Sequence, residues 1–175
     1  MDTSEILESL FSEKSELKKG DFFHQSGTVC NRIGILQSGM LKYFYINNEG
    51  EEIVRWMALP GDYVISLSSF ITETASFESI VAVKPSSLLV MSKQQWNQAY
   101  QNIPTVQQLW TNELEQLCIG YESRIHNLIA ANAQQRYLWL LQHEPRFLKE
   151  VPNKYLAKII GVTPRHLSRL MLAEK

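Results

Sequence analysis

The segment that most narrows what this chain can fold into runs from Val151 to Leu170. Leu156, Ala157 and Ile160 fall on one face of a helix, with the small Ala157 where another helix must come close. Gly161 follows and supplies the left-handed backbone that a sharp exit from a helix needs. Thr163 is a good N-cap, and Pro164 takes the first helical position, where a missing N–H costs nothing. Leu167 and Leu170, three apart, turn one face of the second helix inward. Its outward face then carries Arg165, His166 and Arg169. This is the layout of a helix-turn-helix, whose second helix reads the DNA major groove. A helical hairpin in an ordinary core shares the apolar spacing, but not the combination of turn chemistry and a basic stripe.

Charge is distributed in the same sense. The chain as a whole has a formal charge of −1, which argues against a nonspecific coat for nucleic acid. Residues 134–175 hold eight Lys and Arg against three Glu, a net +5, so residues 1–133 carry −6. A basic end on an acidic body suits a protein that puts one module on phosphate, although a solvated helix face gives the same excess.

With 175 residues the chain can bury one substantial core and add a small second module. No stretch approaches the ~18 apolar residues of a membrane span, and the acidic N-terminus lacks the pattern of a signal peptide. Cys30 and Cys118, far apart, suit a reducing cytoplasm without a disulfide framework.

The first element expected is a short amphipathic helix over Ser4–Phe11, from Ile6, Leu7, Leu10 and Phe11. After Gly20-Asp21 come short apolar segments at 22–23, 33–36, 40–46 and 53–59, separated by Gly20, Gly27, Gly39, Asn47–Gly50 and Pro60–Asp62. That spacing predicts an all-β sandwich or roll, with its clearest hairpin at Asn47–Gly50. Further strands are expected over Glu78–Val83 and Ser87–Met91, joined by a turn at Lys84–Ser86. From Lys93 the period becomes helical. Trp110, Leu114, Leu117, Tyr121, Ile125, Leu128 and Asn132 mark a long stripe, which either packs on the roll or meets its twin in a parallel dimer. A further helix holds Tyr137, Leu138, Leu140 and Leu141 and ends at His143–Pro145.

On these residues the chain resembles the Crp/Fnr family of bacterial transcription regulators, over nearly its whole length. Lys19–Asp21, Gly27, Gly39, Gly50 and Gly61–Tyr63 fall where the family's cyclic-nucleotide-binding-type roll keeps its turn glycines. Arg136–Leu141, Pro145–Leu148, Val151-Pro152, Leu156-Ala157 and Gly161–Arg169 look like the branch common in Bacteroidetes. The resemblance implies a mixed α and β fold in three parts: a double-stranded β-helix sensor roll at 1–103, a long dimerisation helix at 104–133 and a DNA-binding helix-turn-helix at 134–175.

The cyclic-nucleotide site is degenerate. Members that bind cyclic AMP hold the ribose with a Gly-Glu-Leu step and the phosphate with a downstream Arg. Here those positions read Ile65-Ser66-Leu67 and fall near Ser76. Losing a bidentate Arg from a partly buried phosphate site costs about 1.5–3 kcal/mol or more, so no useful affinity for cyclic nucleotides is expected. Ser66, Leu67, Ser76 and Phe77 are left as candidate lining for a different small-molecule effector, or for none.

The function this implies is a homodimeric, cytoplasmic, sequence-specific DNA-binding regulator, with an operator duplex and RNA polymerase as partners and no cofactor. Arg165 and Arg169 are the candidate base readers, each equally able to meet phosphate, with His166 beside them. Thr163 and Asn153 are candidate phosphate anchors, and Lys154 and Lys158 add nonspecific attraction. The sequence stops at Lys175, directly after the reading helix, so any following β-wing is either missing from it or was never encoded. An iron–sulfur cluster needs about four Cys ligands and two are present. His24, His126, His143 and His166 show no pairing that suggests haem, and Cys30 reads as a small core residue or an oxidation sensor. An enzyme of cupin type would need a His-x-His pair in the roll, which holds only His24. The remaining alternative is a sensing or protein-interaction module of the same fold that does not touch DNA.

Overall fold

The computed structural model describes residues 10–173. The expected helix over Ser4–Phe11 lies outside them except for its last two residues; of these, Phe11 is buried. In order, the elements are β1 (Glu13–Leu17), β2 (Phe22–His24), β3 (Arg32–Ile46), β4 (Glu52–Ala58), β5 (Tyr63–Val64), α1 (Leu67–Thr72) and β6 (Ser79–Ser92). Six helices follow: α2 (Lys93–Asn102), α3 (Pro104–Ala130), α4 (Ala133–His143), α5 (Pro145–Glu150), α6 (Asn153–Ile160) and α7 (Pro164–Ala173). The chain divides into two compact units after Thr111, inside α3.

The first unit is built on one antiparallel sheet in the order β1-β6-β3-β4, with β2 also on β6 and β5 also on β3. Two expectations are corrected here. The segments at 33–36 and 40–46 form one strand, and so do Glu78–Val83 and Ser87–Met91, apart from Glu78 itself. The cause is a matched bulge. Gly39 has φ +100°, and a Cβ there would lie 2.1 Å from Ser86 Oγ and 2.5 Å from its Cα. Ser86 fills that space, accepting the Met40 N–H at 3.1 Å and donating to the Lys84 carbonyl at 2.8 Å. The β3–β6 register shifts here, and the exposed Pro85 sits where a ladder can lose a donor. Glycine and proline that read as turns therefore bend two continuous strands.

The Asn47–Gly50 hairpin forms as expected between β3 and β4. Asn47 Oδ1 accepts the N–H groups of Glu49 and Glu51, and Gly50 has φ +79°. One apolar cluster gathers Leu36, Leu41, Ile80 and Leu88, all fully buried, with Val64 from β5. A second joins Phe11, Cys30, Ile33, Phe70, Met91, Trp96 and Val106, with the Trp110 ring tilted at 58° and centred 4.7 Å from that of Trp96. Each large side chain so buried contributes about 1.5–3 kcal/mol.

A capping box between Ser92 and Gln95 starts α2. Along α3, 27 residues long, Leu117, Tyr121, Ile125 and Leu128 are exposed, with Ile119 and Ile129 beside them. Asn132 does not continue that stripe. It is the N-cap of α4, accepting the Gln135 N–H at 3.0 Å while Gln135 Oε1 accepts its own N–H at 2.9 Å. Tyr137, Leu140, Phe147, Val151, Leu156, Ala157, Ile159, Ile160 and Leu167 form the core of the second unit.

Candidate functional site

The α6–turn–α7 segment follows its sequence signals closely. Leu156, Ala157 and Ile160 are buried, and Ile159 with them. Gly161 has φ +69°, its N–H bonded to the Lys158 carbonyl, and the Val162 N–H returns to Ala157. This is how a helix satisfies its last carbonyls while turning sharply. Thr163 caps α7, accepting the His166 N–H at 3.2 Å on its side chain and the Leu167 N–H at 3.0 Å on its carbonyl. Leu167 is fully buried and Leu170 half-buried, which turns the other face outward.

Arg165 and Arg169 are both exposed on that outer face, one turn apart. His166 is half-buried and stands at the edge of the stripe. Asn153 is the first residue of α6, not its cap: Pro152 holds the cap position without a side-chain bond. Asn153, Lys154 and Lys158 are exposed, and the Lys154 ammonium lies 4.9 Å from the Tyr155 ring centre. The structure thus gathers Arg165 and Arg169 on one short helix with Thr163 at its cap, and Asn153 and Lys154 at the start of the preceding helix.

In the roll, the loop from β5 to β6 brings two of the four candidate lining residues together. Ser66 and Ser76 are buried and their hydroxyls lie 2.9 Å apart. Ser76 also donates to the Glu78 carbonyl and accepts the Glu78 N–H, both at 3.0 Å. With its one proton on Glu78, Ser76 receives that of Ser66. Leu67 starts α1 and is half-buried, whereas Phe77 turns out, 70% exposed, with its ring edge against Tyr45. The two serine hydroxyls are thus bonded to each other and to the Glu78 backbone.

Sequence reasoning missed the charged groups around them. Glu78 is 5% exposed and its carboxylate accepts Arg55 Nε at 2.8 Å. His24 is buried, and its Nε2 has no hydrogen-bond partner. Burial holds this imidazole below its ordinary pKa, with Glu78 opposing the shift and Arg32 reinforcing it. Cys30 lies in the core, and burial pushes its thiol up, away from the reactive thiolate. No sequence period marks Glu78, which lies just before β6, a strand whose first four residues are all buried. Among the described residues no three His, Cys, Asp or Glu side chains are grouped to hold a metal ion, and no helix is long and apolar enough to cross a membrane.

The roll carries a loop and the short helix α1 between β5 and β6. Residues 14–102 match the cyclic nucleotide-binding domain family, and the chain belongs to that family. No curated protein sequence matches the chain. Among solved structures, FixK2 from Bradyrhizobium japonicum is similar over 92% of this chain and 83% of its own, with a TM-score of 0.75 at 14% identity. The catabolite activator protein of Thermus thermophilus is similar over 98% and 82%, with a TM-score of 0.62 at 18% identity. A protein from Eubacterium rectale assigned to the Crp/Fnr family of transcriptional regulators is similar over 94% and 80%, with a TM-score of 0.66 at 19% identity. The chain is thus a mixed α and β protein, a cyclic-nucleotide-binding-type sheet domain followed by helices, in the fold of Crp/Fnr-type regulators.

Proposed function

We propose that this protein is a homodimeric, sequence-specific DNA-binding transcription regulator of the Crp/Fnr type, and not an enzyme. The observation that carries the reading is α7: a Thr163-capped helix, pinned by buried Leu167, with Arg165 and Arg169 free on its outer face. In this account residues 1–103 are the sensor roll, 104–133 the dimer helix and 134–175 the DNA-binding module. Two copies of α7 sit in successive major grooves, so the operator is a pseudo-palindrome with half-sites about one helical turn apart. Arg165 and Arg169 read bases, with His166 at their edge. Thr163 and Asn153 approach phosphates near helix N-termini, and Lys154 and Lys158 add salt-sensitive attraction. The exposed apolar residues of α3 support a dimer, because water-exposed Leu117, Tyr121, Ile125 and Leu128 gain from burial against a twin.

The roll, in the same reading, does not bind cyclic AMP. A cyclic phosphate needs a charge-assisted donor in its pocket. At or near the two positions where the family places its ribose carboxylate and its phosphate Arg, Ser66 and Ser76 bond to each other, and neither supplies a charge. Selection of binding sites from a randomised duplex library at low salt, with no added ligand, tests the DNA-binding part. A two-fold symmetric site that Arg165→Ala/Arg169→Ala no longer enriches is the expected result. No enrichment by the wild-type chain, with or without a small-molecule extract, overturns the DNA reading in favour of a sensing or protein-interaction module.

A further inference from the structure

We propose that Arg136 is the positioning residue that fixes the reading helix to the end of the long helix. This inference rests on the DNA-binding role of α7 argued above. Arg136 is half-buried in the first turn of α4. Its Nε donates to the Ile160 carbonyl at 2.8 Å and its Nη1 donates to the Ala131 carbonyl at 2.9 Å. Ile160 is the last residue of α6, and Ala131 continues α3, its own N–H bonded to the Asn127 carbonyl at 3.1 Å. The carbonyls at a helix C-terminus lack partners within the helix and carry the negative end of its dipole. One planar cation therefore satisfies two helix ends at once, and its fork geometry dictates the angle between them.

The consequence for DNA reading follows from chain length. Only Gly161, Val162 and Thr163 separate Ile160 from α7, and each has a backbone or side-chain bond that closes the turn. The direction of α7 is thus set by where the Ile160 carbonyl is held. Buried Leu156, Ala157, Ile159 and Ile160 seat α6 in the core, and a small crevice between α3, α4 and α6, lined by Leu128, Arg136, Trp139, Leu140 and Ile160, leaves the guanidinium as the link across it. A second polar tie, Trp139 Nε1 donating to Ser123 Oγ at 2.8 Å, anchors α4 on α3, and Arg136 extends that anchor to the end of α6. A rotation of the last turns of α3 is then carried through this guanidinium to the two arginines that read bases.

The test uses the full chain with Arg136→Ala and Arg136→Lys. Lysine keeps the charge and stem but has a single nitrogen, which cannot span both carbonyls in a planar fork. The first readout needs no DNA: the distance distribution between labels on native, exposed Cys118 in α3 and on Leu172→Cys at the end of α7, with labelled chains diluted into unlabelled protein. A narrow distribution in the parent that broadens in both variants is expected. The second readout is affinity for the selected operator and for duplexes with half-sites moved apart by one or two base pairs. Both variants lose about tenfold on the selected spacing and no longer discriminate against the others. Should Arg136→Ala fail to fold, Arg136→Lys alone decides. An unchanged distance distribution overturns the proposal, and so does a uniform loss of affinity with spacing preference intact, which marks a merely structural role. Broadened distances in a chain that binds no duplex would uphold the joint and refute the DNA reading instead.

Discussion

Gly39 and Gly161 both have positive φ, yet adding one methyl group to each has very different consequences. At Gly161, φ +69°, the nearest atom to a new Cβ is Arg136 Nη2 at 4.0 Å, so Gly161→Ala meets no obstacle and bears only backbone strain. Left-handed backbone costs an L-residue about 1–2 kcal/mol, and the stiffer unfolded chain returns about 0.4–1 kcal/mol, for a net loss of about 1 kcal/mol. In a unit of the size of Asn112–Lys175 that lowers the melting temperature by about 4–8 °C. Gly161→Asn costs less, because its short polar side chain tolerates this conformation. Gly39→Ala has similar strain but drives Cβ to 2.5 Å from the Ser86 Cα, so β3 and β6 must separate at the bulge. Overpacking of this kind adds about 1–3 kcal/mol, for a total of about 2–4 kcal/mol. Hydrogen exchange read by mass spectrometry across a denaturant series resolves the two units. The first should lose protection in Gly39→Ala and the second, more mildly, in Gly161→Ala. Equal costs at the two sites, or an Asn at 161 no better than Ala, would refute the reasoning.

Three further outcomes are expected. His24 has its pKa held below 6.5, so above that pH it is neutral whether folded or unfolded and contributes no pH dependence. As the pH falls through 6.5 the unfolded chain takes up the proton first and stability drops, a slope that His24→Leu removes in urea titrations between pH 8 and 5. Leu167→Ala, emptying a fully buried site, destabilises the second unit by about 2–5 kcal/mol and abolishes DNA retention at 37 °C in a mobility-shift assay. Millimolar cyclic AMP leaves the melting temperature unchanged, whereas a ligand at 100 times its Kd would add about 2.7 kcal/mol.

Much of the second unit was legible in the sequence because its signals are local. Gly161, Thr163, Pro164 and Leu167 each act within one turn of chain, and each stands where its chemistry directs. The roll was legible as a type but not in its strand count. Gly39, Pro85 and Ser86 have the chemistry of turns, and only their meeting across 46 residues of sequence, at the Met40–Ser86 bond, makes them a bulge in two long strands. The same limit hid the polar cluster of the roll. His24, Arg55, Ser66 and Ser76 come together around Glu78 from separate elements, and no periodicity ties them. Arg136 counted as a positive charge and as the start of the Arg136–Leu141 run, but not as a tie, because its bonds to Ala131 and Ile160 depend on how three helices pack.

Hydroxyl-radical footprinting of the selected duplex tests the central claim most directly. The account predicts two protected patches on one face of the DNA, centred about one helical turn apart, both weakened in Arg165→Ala/Arg169→Ala. A single patch, no protection, or a footprint indifferent to those two arginines would contradict it.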